Sequence, residues 1–137
     1  MRAQRGSTLV ESSVVLLTFL VILIMLMDAG QILFFHQFLS DRARAGARYA
    51  VVHTFNAATV KNVVVYENVS SSGMPGLFGM STSMVSVTRY DSGTANDRVL
   101  VRVSGFKMRF LTPWLAGIFT PGPFSAVMPM ESAGTAQ

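Results

Sequence analysis

The sequence predicts an α+β fold: a long N-terminal helix, membrane-spanning in its first half, with a small three- to four-stranded antiparallel sheet packed on its C-terminal half. Two observations predict it. Apolar residues crowd into the first forty of the 137 positions, and no proline interrupts the chain between Thr8 and Val52. Apolar and polar residues then alternate with period two in short runs between residues 84 and 130, which is the pattern of strands with one buried face.

The composition excludes several classes of protein. Half of the residues are apolar and 13% are charged, against about 25% in a typical soluble domain, which excludes a disordered chain. The absence of cysteine excludes a disulfide framework and a Cys-based zinc site. His36 and His53 are too few for a His-rich metal site. The basic residues behind the net charge of +4 are scattered, whereas a nucleic-acid surface needs a basic stripe, so no nucleic-acid partner is predicted.

The first half of the long helix has the length and composition of a membrane span. The run from Ser12 to Met27 carries no formal charge and is about 24 Å long as a helix. Extended back to Ser7 it reaches about 30 Å, the thickness of the hydrocarbon core. Because Arg2 and Arg5 precede it, we expect the N-terminus in the cytoplasm and the rest of the chain outside. The predicted division is a leader at 1–6, a transmembrane helix at 7–30 and an extracytoplasmic part at 31–137.

Two processing schemes compete for this N-terminus. A signal peptidase would cut near Ala29, but Met27 and Asp28 stand where small neutral residues are needed. The other scheme cuts before the apolar run. The segment from Gly6 to Glu11 (GSTLVE) resembles the processing site of type IV prepilins, in which the cut follows the glycine and the fifth mature residue is a glutamate. The resemblance implies cleavage between Gly6 and Ser7 by a prepilin peptidase, with the apolar helix retained.

Glu11 is the only formal charge between Ser7 and Met27. A charge within a membrane helix costs on the order of 3 kcal/mol or more, so such a residue calls for a functional explanation. In a filament, the Glu11 carboxylate could pair with the new Ser7 amine of a neighbouring subunit and set the axial register. The simpler alternative is that Glu11 lies at the headgroup level beside Arg5.

A wider resemblance extends along the chain. The start at Arg5–Glu11 (RGSTLVE) and the segment Ala43–Ala50 (ARAGARYA) resemble the TadE-like family, the minor pseudopilins of tight-adherence (Flp) pilus systems. Residues 59–66 and 110–113 also resemble the family, so that the resemblance covers most of the chain, loosely after Tyr66. One departure is Ser12, since members often have phenylalanine after the glutamate.

The resemblance implies a role in assembly or initiation of a Flp-type pilus, within the type IV pilin superfamily. The implied partners are the prepilin peptidase, other pilin-like subunits and inner-membrane pilus assembly proteins. The implied location is the bacterial inner membrane, crossed once, or the pilus itself. The residues leave an alternative open: a single-pass anchor whose extracytoplasmic part is a binding or scaffold module. A major filament subunit fits less well, because major Flp pilins resemble little more than the helix.

Beyond the membrane, the helix has two apolar faces. One runs in three- and four-residue steps from Ile32 to Ala50 and turns from large to small residues, so we expect the rest of the fold to pack there. The second is either core or a contact with another subunit; it comprises Phe34, Phe38, Ala45, Tyr49 and Val52. A solvated face is expected at Asp41, Arg42, Arg44 and Arg48. The candidate subunit contacts are Asp28, Phe34, Phe38, Arg44, Arg48 and Tyr49.

Three segments outside the strands are harder to assign. Residues 56–66 fit either a helix capped by Asn56 or a strand through the valines, and we favour the helix. Residues 70–83 are expected to be loop, because glycine, proline and serine recur there. Between the last two strands, Trp114 and Phe119 belong either to the core or to a contact patch for another pilin-like protein or the membrane surface.

Strands are expected at 84–90, from 99 onward and at 124–130, with a polar turn at 91–97. After Gly105 the alternation changes parity, which predicts a bulge or kink there, since a period-two pattern cannot change phase without an inserted residue. The residues predicted to face inward around this point are Val99, Val101, Val103, Phe106, Met108 and Phe110.

Catalysis is not predicted. The sequence has no Gly-rich phosphate loop, no metal-ligand spacing and no glycine-flanked serine near a histidine. We therefore expect a protein that is not an enzyme, with no catalytic residues, no metal, no cofactor and no small-molecule substrate. The chain is instead expected to be a substrate, cut by the peptidase that the prepilin resemblance implies.

Overall fold

The computed structural model describes residues 4–70, 75–112 and 121–130, with side chains from Ser7 onward. Helix α1 (Gln4–Val52) is followed by α2 (Ala57–Tyr66) and by two single turns of 3-10 helix at Leu77–Gly79 and Thr82–Met84. The strands are β1 (Val85–Tyr90), β2 (Arg98–Val103) and β3 (Phe124–Pro129). The predicted α+β fold, with a long apolar helix and a three-stranded antiparallel sheet, is confirmed.

Contacts within the chain divide it into two compact units, which we describe separately. The first unit comprises Met1–Phe35 and Met108–Thr120, and the second comprises His36–Lys107 and Pro121–Gln137. Helix α1 contributes its first part to one unit and its last part to the other.

In the first unit, the apolar run of α1 is long and hydrophobic enough to cross a membrane. Its large apolar side chains, including Leu16, Leu17 and Phe19, are exposed. The hydroxyls of Ser12, Ser13 and Thr18 donate to the carbonyls four residues earlier, at 2.8–2.9 Å. Because the helix itself satisfies these polar groups, they add little cost to placing the helix in hydrocarbon.

In the second unit, the small-residue face of α1 packs closely, as predicted. Leu39, Ala43, Ala47 and Ala50 are buried. A Cβ atom added at Gly46 would lie 2.3 Å from Cγ2 of Val64 in α2 and 3.6 Å from Cγ1 of Val101 in β2. Glycine at this position therefore lets α2 and the sheet approach the backbone of α1.

The ambiguous segment after α1 is the favoured helix, α2. Asn56 caps it: its side-chain oxygen accepts hydrogen bonds from the backbone N–H groups of Ala58 and Thr59, at 3.0 and 3.4 Å. The helix ends where Glu67 adopts a left-handed conformation, with φ of 55°. The helix buries Val60, Val64 and Val65. Burial of this face outweighs the strand propensity of the valines.

The sheet has the order β1-β2-β3, antiparallel throughout, with Val101 of β2 opposite Val87 of β1 and Ala126 of β3. Val99, Val101 and Val103 are fully buried. Arg98 and Arg102 alternate with them and are exposed. This alternation confirms the predicted orientation of β2.

The parity change at Gly105 ends the strand. β2 stops at Val103, and Gly105 has φ of +76°, a conformation that glycine adopts at little cost. The predicted kink is confirmed, but the predicted continuation of the strand past Gly105 is wrong. Phe106 is buried, whereas Met108 and Phe110 are half-buried in irregular backbone.

The other loop predictions have mixed outcomes. The polar turn between β1 and β2 is confirmed. The predicted loop over 70–83 contains both 3-10 turns in its described part. The predictions for the leader side chains and for Trp114 and Phe119 lie outside the described residues.

Candidate functional site

The predicted cleavage junction lies at the start of α1. Gly6 and Ser7 have helical backbone within the first turn, and the Ser7 side chain is exposed. The N–H groups of a first helical turn have no partners within the helix, so local unwinding there costs little. Glycine lowers that cost further, because it is a poor helix former. The junction can therefore become the extended backbone that a peptidase needs, and cleavage at this bond stays a prediction.

Glu11 lies one turn after Ser7 on α1 and is exposed. Among the residues whose side chains are described, none forms an ion pair with its carboxylate. A shallow groove beside it is lined mainly by Thr8, Ser12, Val15 and Phe19. The carboxylate thus faces outward from a strongly apolar helix, where a neighbouring positive group can reach it.

Asp28 is tied to a distant part of the chain. Its side chain is 1% exposed. The backbone N–H of Leu111 donates to Oδ1 at 2.8 Å, and the backbone N–H of Thr112 donates to Oδ2 at 3.0 Å. The Thr112 hydroxyl donates to Oδ2 as well.

These bonds satisfy the Asp28 carboxylate inside the chain, which is how a buried charge becomes tolerable. Sequence reasoning therefore missed one role of Asp28, which is to hold residues 111–112 against α1 by hydrogen bonds. The subunit contact proposed for Asp28 stays a prediction. The one signal in the sequence was a carboxylate at the end of an apolar run, and nothing local pointed to a partner 83 residues away.

The other predicted contact residues occupy different environments. Phe34 is exposed, and its ring meets Phe35 edge-on at 5.4 Å. Phe38 is half-buried and meets Phe78 edge-on at 5.4 Å. Tyr49 is half-buried and stacks on His53, with ring centroids 4.1 Å apart. These side chains follow one side of α1.

The charged residues of α1 are only partly solvated. Arg44 and Arg48 are exposed, and Arg44 lies 3.8 Å from Asp41, one turn earlier. The prediction that Arg42 is solvated is wrong. Its side chain is 11% exposed and forms an ion pair of 2.5 Å with Glu67, at the end of α2. Arg42 therefore links α1 to the residue that ends α2.

A second ion pair, which sequence reasoning also missed, stabilises the turn between β1 and β2. Asp97 is 5% exposed and accepts hydrogen bonds from Nε of Arg89 at 2.9 Å and from the backbone N–H of Gly93 at 3.1 Å. The Arg89 guanidinium lowers the pKa of Asp97 to about 2, against the opposing effect of burial and with help from the Gly93 N–H. The arrangement is a structural clamp on the turn.

Much of α1 matches a known protein family. Residues 6–48 match the family model described as TadE-like protein. The match starts at the predicted cleavage junction and covers Glu11, Asp28 and most of α1. No curated protein and no solved structure matches the chain.

Proposed function

We propose, from the premise that this chain carries a TadE-like domain at residues 6–48, that it is a minor pseudopilin. Its part is in the assembly or initiation of a Flp (tight-adherence) type IV pilus. A TadE-like domain points to the Tad/Flp pilus system in general; the specific role as a minor pseudopilin is our inference.

The observation that carries the proposal is the combination of this match with an uncovered apolar helix. The candidate membrane span has none of its most hydrophobic stretch buried within the described chain. A helix that is apolar on all sides needs lipid or other helices around it. In a pilin-like subunit, lipid surrounds this helix in the inner membrane, and the helices of other subunits surround it in the core of a filament.

The prepilin peptidase is the proposed first partner. Cleavage after Gly6 removes two of the eleven basic residues, Arg2 and Arg5, so the side-chain charge falls from +4 to +2. It also creates a positive amine at Ser7. We propose no catalytic activity and no cofactor for the chain itself.

N-terminal sequencing and intact mass of the purified membrane protein test this step. We expect a mature chain starting at Ser7. We also expect slower processing for Gly6→Ala and none for a bulkier replacement such as Gly6→Leu. A mature terminus at Gly30 would mean release of residues 30–137 without the apolar run and would overturn the pseudopilin proposal.

The amine that cleavage creates at Ser7 gives a reason for a carboxylate at position 11 of an apolar helix. A free carboxylate in the hydrocarbon core is costly, and pairing with the Ser7 amine of an adjacent subunit offsets that cost. Because Ser7 and Glu11 are four residues apart, pairing the Glu11 carboxylate of one subunit with the Ser7 amine of the next fixes their axial stagger at about 6 Å. The other pilin-like subunits are thus the second proposed class of partner, with inner-membrane assembly proteins as the third.

Glu11→Leu separates assembly from simple anchoring. Removing one member of a buried pair typically costs ~3–5 kcal/mol, so we expect the variant to insert and to be processed but to be lost from pilin complexes. Pilus formation and co-purification with pilin partners are the measurements. Thr18→Val is the matched control, because it removes another polar group from the same helix, one that Val14 already satisfies.

The competing function is a single-pass anchor with an extracytoplasmic binding or scaffold module, which the separate core of the second unit makes structurally possible. An anchor loses nothing when Glu11 becomes leucine, since leucine favours the bilayer. Wild-type piliation and normal co-purification of Glu11→Leu would therefore contradict the assembly role and favour the anchored module.

A further inference from the structure

Asp28 lies at the depth where the membrane-spanning part of α1 ends. Along a straight helix, the 21 residues from Ser7 to Asp28 rise about 31 Å, close to the thickness of the hydrocarbon core, about 30 Å. With Ser7 at the inner boundary, the Asp28 carboxylate is at the outer boundary. This placement rests on the proposed function in one respect, namely that α1 spans a membrane.

The hydrogen bonds of Asp28 bring a second segment to the same depth. They hold the backbone of Leu111 and Thr112 against α1, within the first unit. The Leu111 side chain is 55% exposed. Arg109, two residues earlier, is also exposed. An exposed apolar side chain and an exposed permanent cation therefore lie two residues apart in the segment that Asp28 holds against α1.

We propose that Arg109 and Leu111 form a lipid-docking element on the outer surface of the membrane that α1 crosses. Leu111 enters the boundary of the acyl chains, and Arg109 binds the phosphate groups of the lipid headgroups. Asp28 positions the element but does not touch lipid. The occupant is the bilayer itself, since the element adjoins the exposed apolar surface of the spanning helix.

The chemistry of each group matches that occupant. The planar guanidinium of Arg109 donates paired hydrogen bonds to phosphate oxygens and carries its charge at every physiological pH. Its apolar stem can lie along the acyl boundary while the charged end reaches the headgroups. Leucine exposed at an aqueous surface gains nothing, whereas leucine in the interface contributes by burying apolar area.

The test uses the absence of cysteine in the chain. In the full chain, Leu111→Cys is labelled with an environment-sensitive fluorophore and reconstituted into vesicles of phosphatidylcholine with phosphatidylglycerol, without pilus proteins. Quenching is measured with a shallow spin-labelled lipid and with iodide in the water. Leu20→Cys, which is in the same unit and exposed to a similar degree, marks the depth of the bilayer interior.

We expect the probe at residue 111 to be quenched several-fold more by the shallow lipid than by iodide. Asp28→Ala should reverse that ratio, because the segment is released. Arg109→Gln should leave the fold intact but move the probe outward. This shift should be larger in vesicles containing phosphatidylglycerol than in pure phosphatidylcholine. Arg109→Lys should restore part of the depth, since it keeps the charge but loses the paired hydrogen bonds.

Two outcomes overturn the proposal. If residue 20 is in lipid but residue 111 is quenched mainly by iodide, the spanning helix stands and the lipid-docking element does not. The same conclusion holds if residue 111 becomes protected only when pilin partners are added, because its occupant is then protein. If residue 20 is itself accessible to iodide, α1 does not span the bilayer. That result contradicts both the membrane-spanning part of the proposed function and the lipid-docking element.

Discussion

The two halves of α1 have the same backbone structure and opposite surroundings. Leu16, in the first half, is 68% exposed, whereas Leu39, in the second half, is fully buried. The first half has no core of its own within the described chain, and its stability depends on lipid or on neighbouring helices. The second half is stabilised by α2 and the sheet. One continuous helix therefore has two different environments. The backbone is helical in both halves, and the halves differ in which side chains are buried.

The largest expected effect distinguishes the two halves directly. Leu39→Ala should lower the free energy of unfolding of the second unit by about 2–5 kcal/mol, because it leaves a cavity in a closed core. Leu16→Ala makes the same change in the same helix and should leave that unfolding unchanged. Thermal or urea unfolding of the full chain in detergent, followed by circular dichroism, provides the measurement. Equal losses for the two variants would show that the halves are not energetically distinct.

A second comparison uses two glycines of α1. Gly46→Ala puts a methyl group against Val64 at 2.3 Å, and we expect a loss of about 1–3 kcal/mol from overpacking. Gly30→Ala meets nothing within 4 Å and should be neutral or stabilising by up to about 1 kcal/mol through helix propensity. The same unfolding measurement compares them. A stable Gly46→Ala variant would mean that α2 can retreat from α1.

The third comparison varies the pH and concerns Asp97 in the second unit. Because its pKa is about 2 in the folded chain and 3.8 in the reference state, its interaction with Arg89 contributes fully above the reference value. The contribution is lost as the pH falls through about 2. Unfolding midpoints should therefore drop more steeply with acid in the wild type than in Asp97→Asn. Asp41→Asn, at an exposed pair on α1, should keep the wild-type slope. Parallel curves for wild type and Asp97→Asn would contradict the clamp.

Residues close in sequence were the predictable ones. The boundaries of β1 and β3, the Asn56 cap and the buried valines of β2 all follow from patterns of two to four residues, because strand alternation and helix capping are local. The kink at Gly105 was predictable for the same reason. The strand expected beyond it failed because alternation of Phe106, Met108 and Phe110 also fits an extended segment that has left the sheet.

The residues of the candidate site also separate into those that the sequence predicts and those that only the structure reveals. Gly6, Ser7 and Glu11 form a short motif, so the sequence was sufficient to nominate them. The fastening of Asp28 to Leu111 and Thr112 depends on backbone N–H groups, which every residue other than proline carries, and thus leaves no mark in the sequence. The pairs Arg42–Glu67 and Arg89–Asp97 join charges whose partners only the packing of elements selects.

By itself, the amino-acid sequence predicted a helix able to span a membrane and three strands with one buried face, and it showed a segment at its start that resembles a prepilin processing site. Each of these depends on the hydropathy and spacing of neighbouring residues. The tertiary structure settled the choice between helix and strand at residues 57–66, where the sequence only favoured the helix. It alone showed that Asp28 binds Leu111 and Thr112 of the same chain. Those outcomes depend on which surfaces meet after folding, since burial and hydrogen bonding between distant segments outweigh local propensities that differ by less than about 1 kcal/mol.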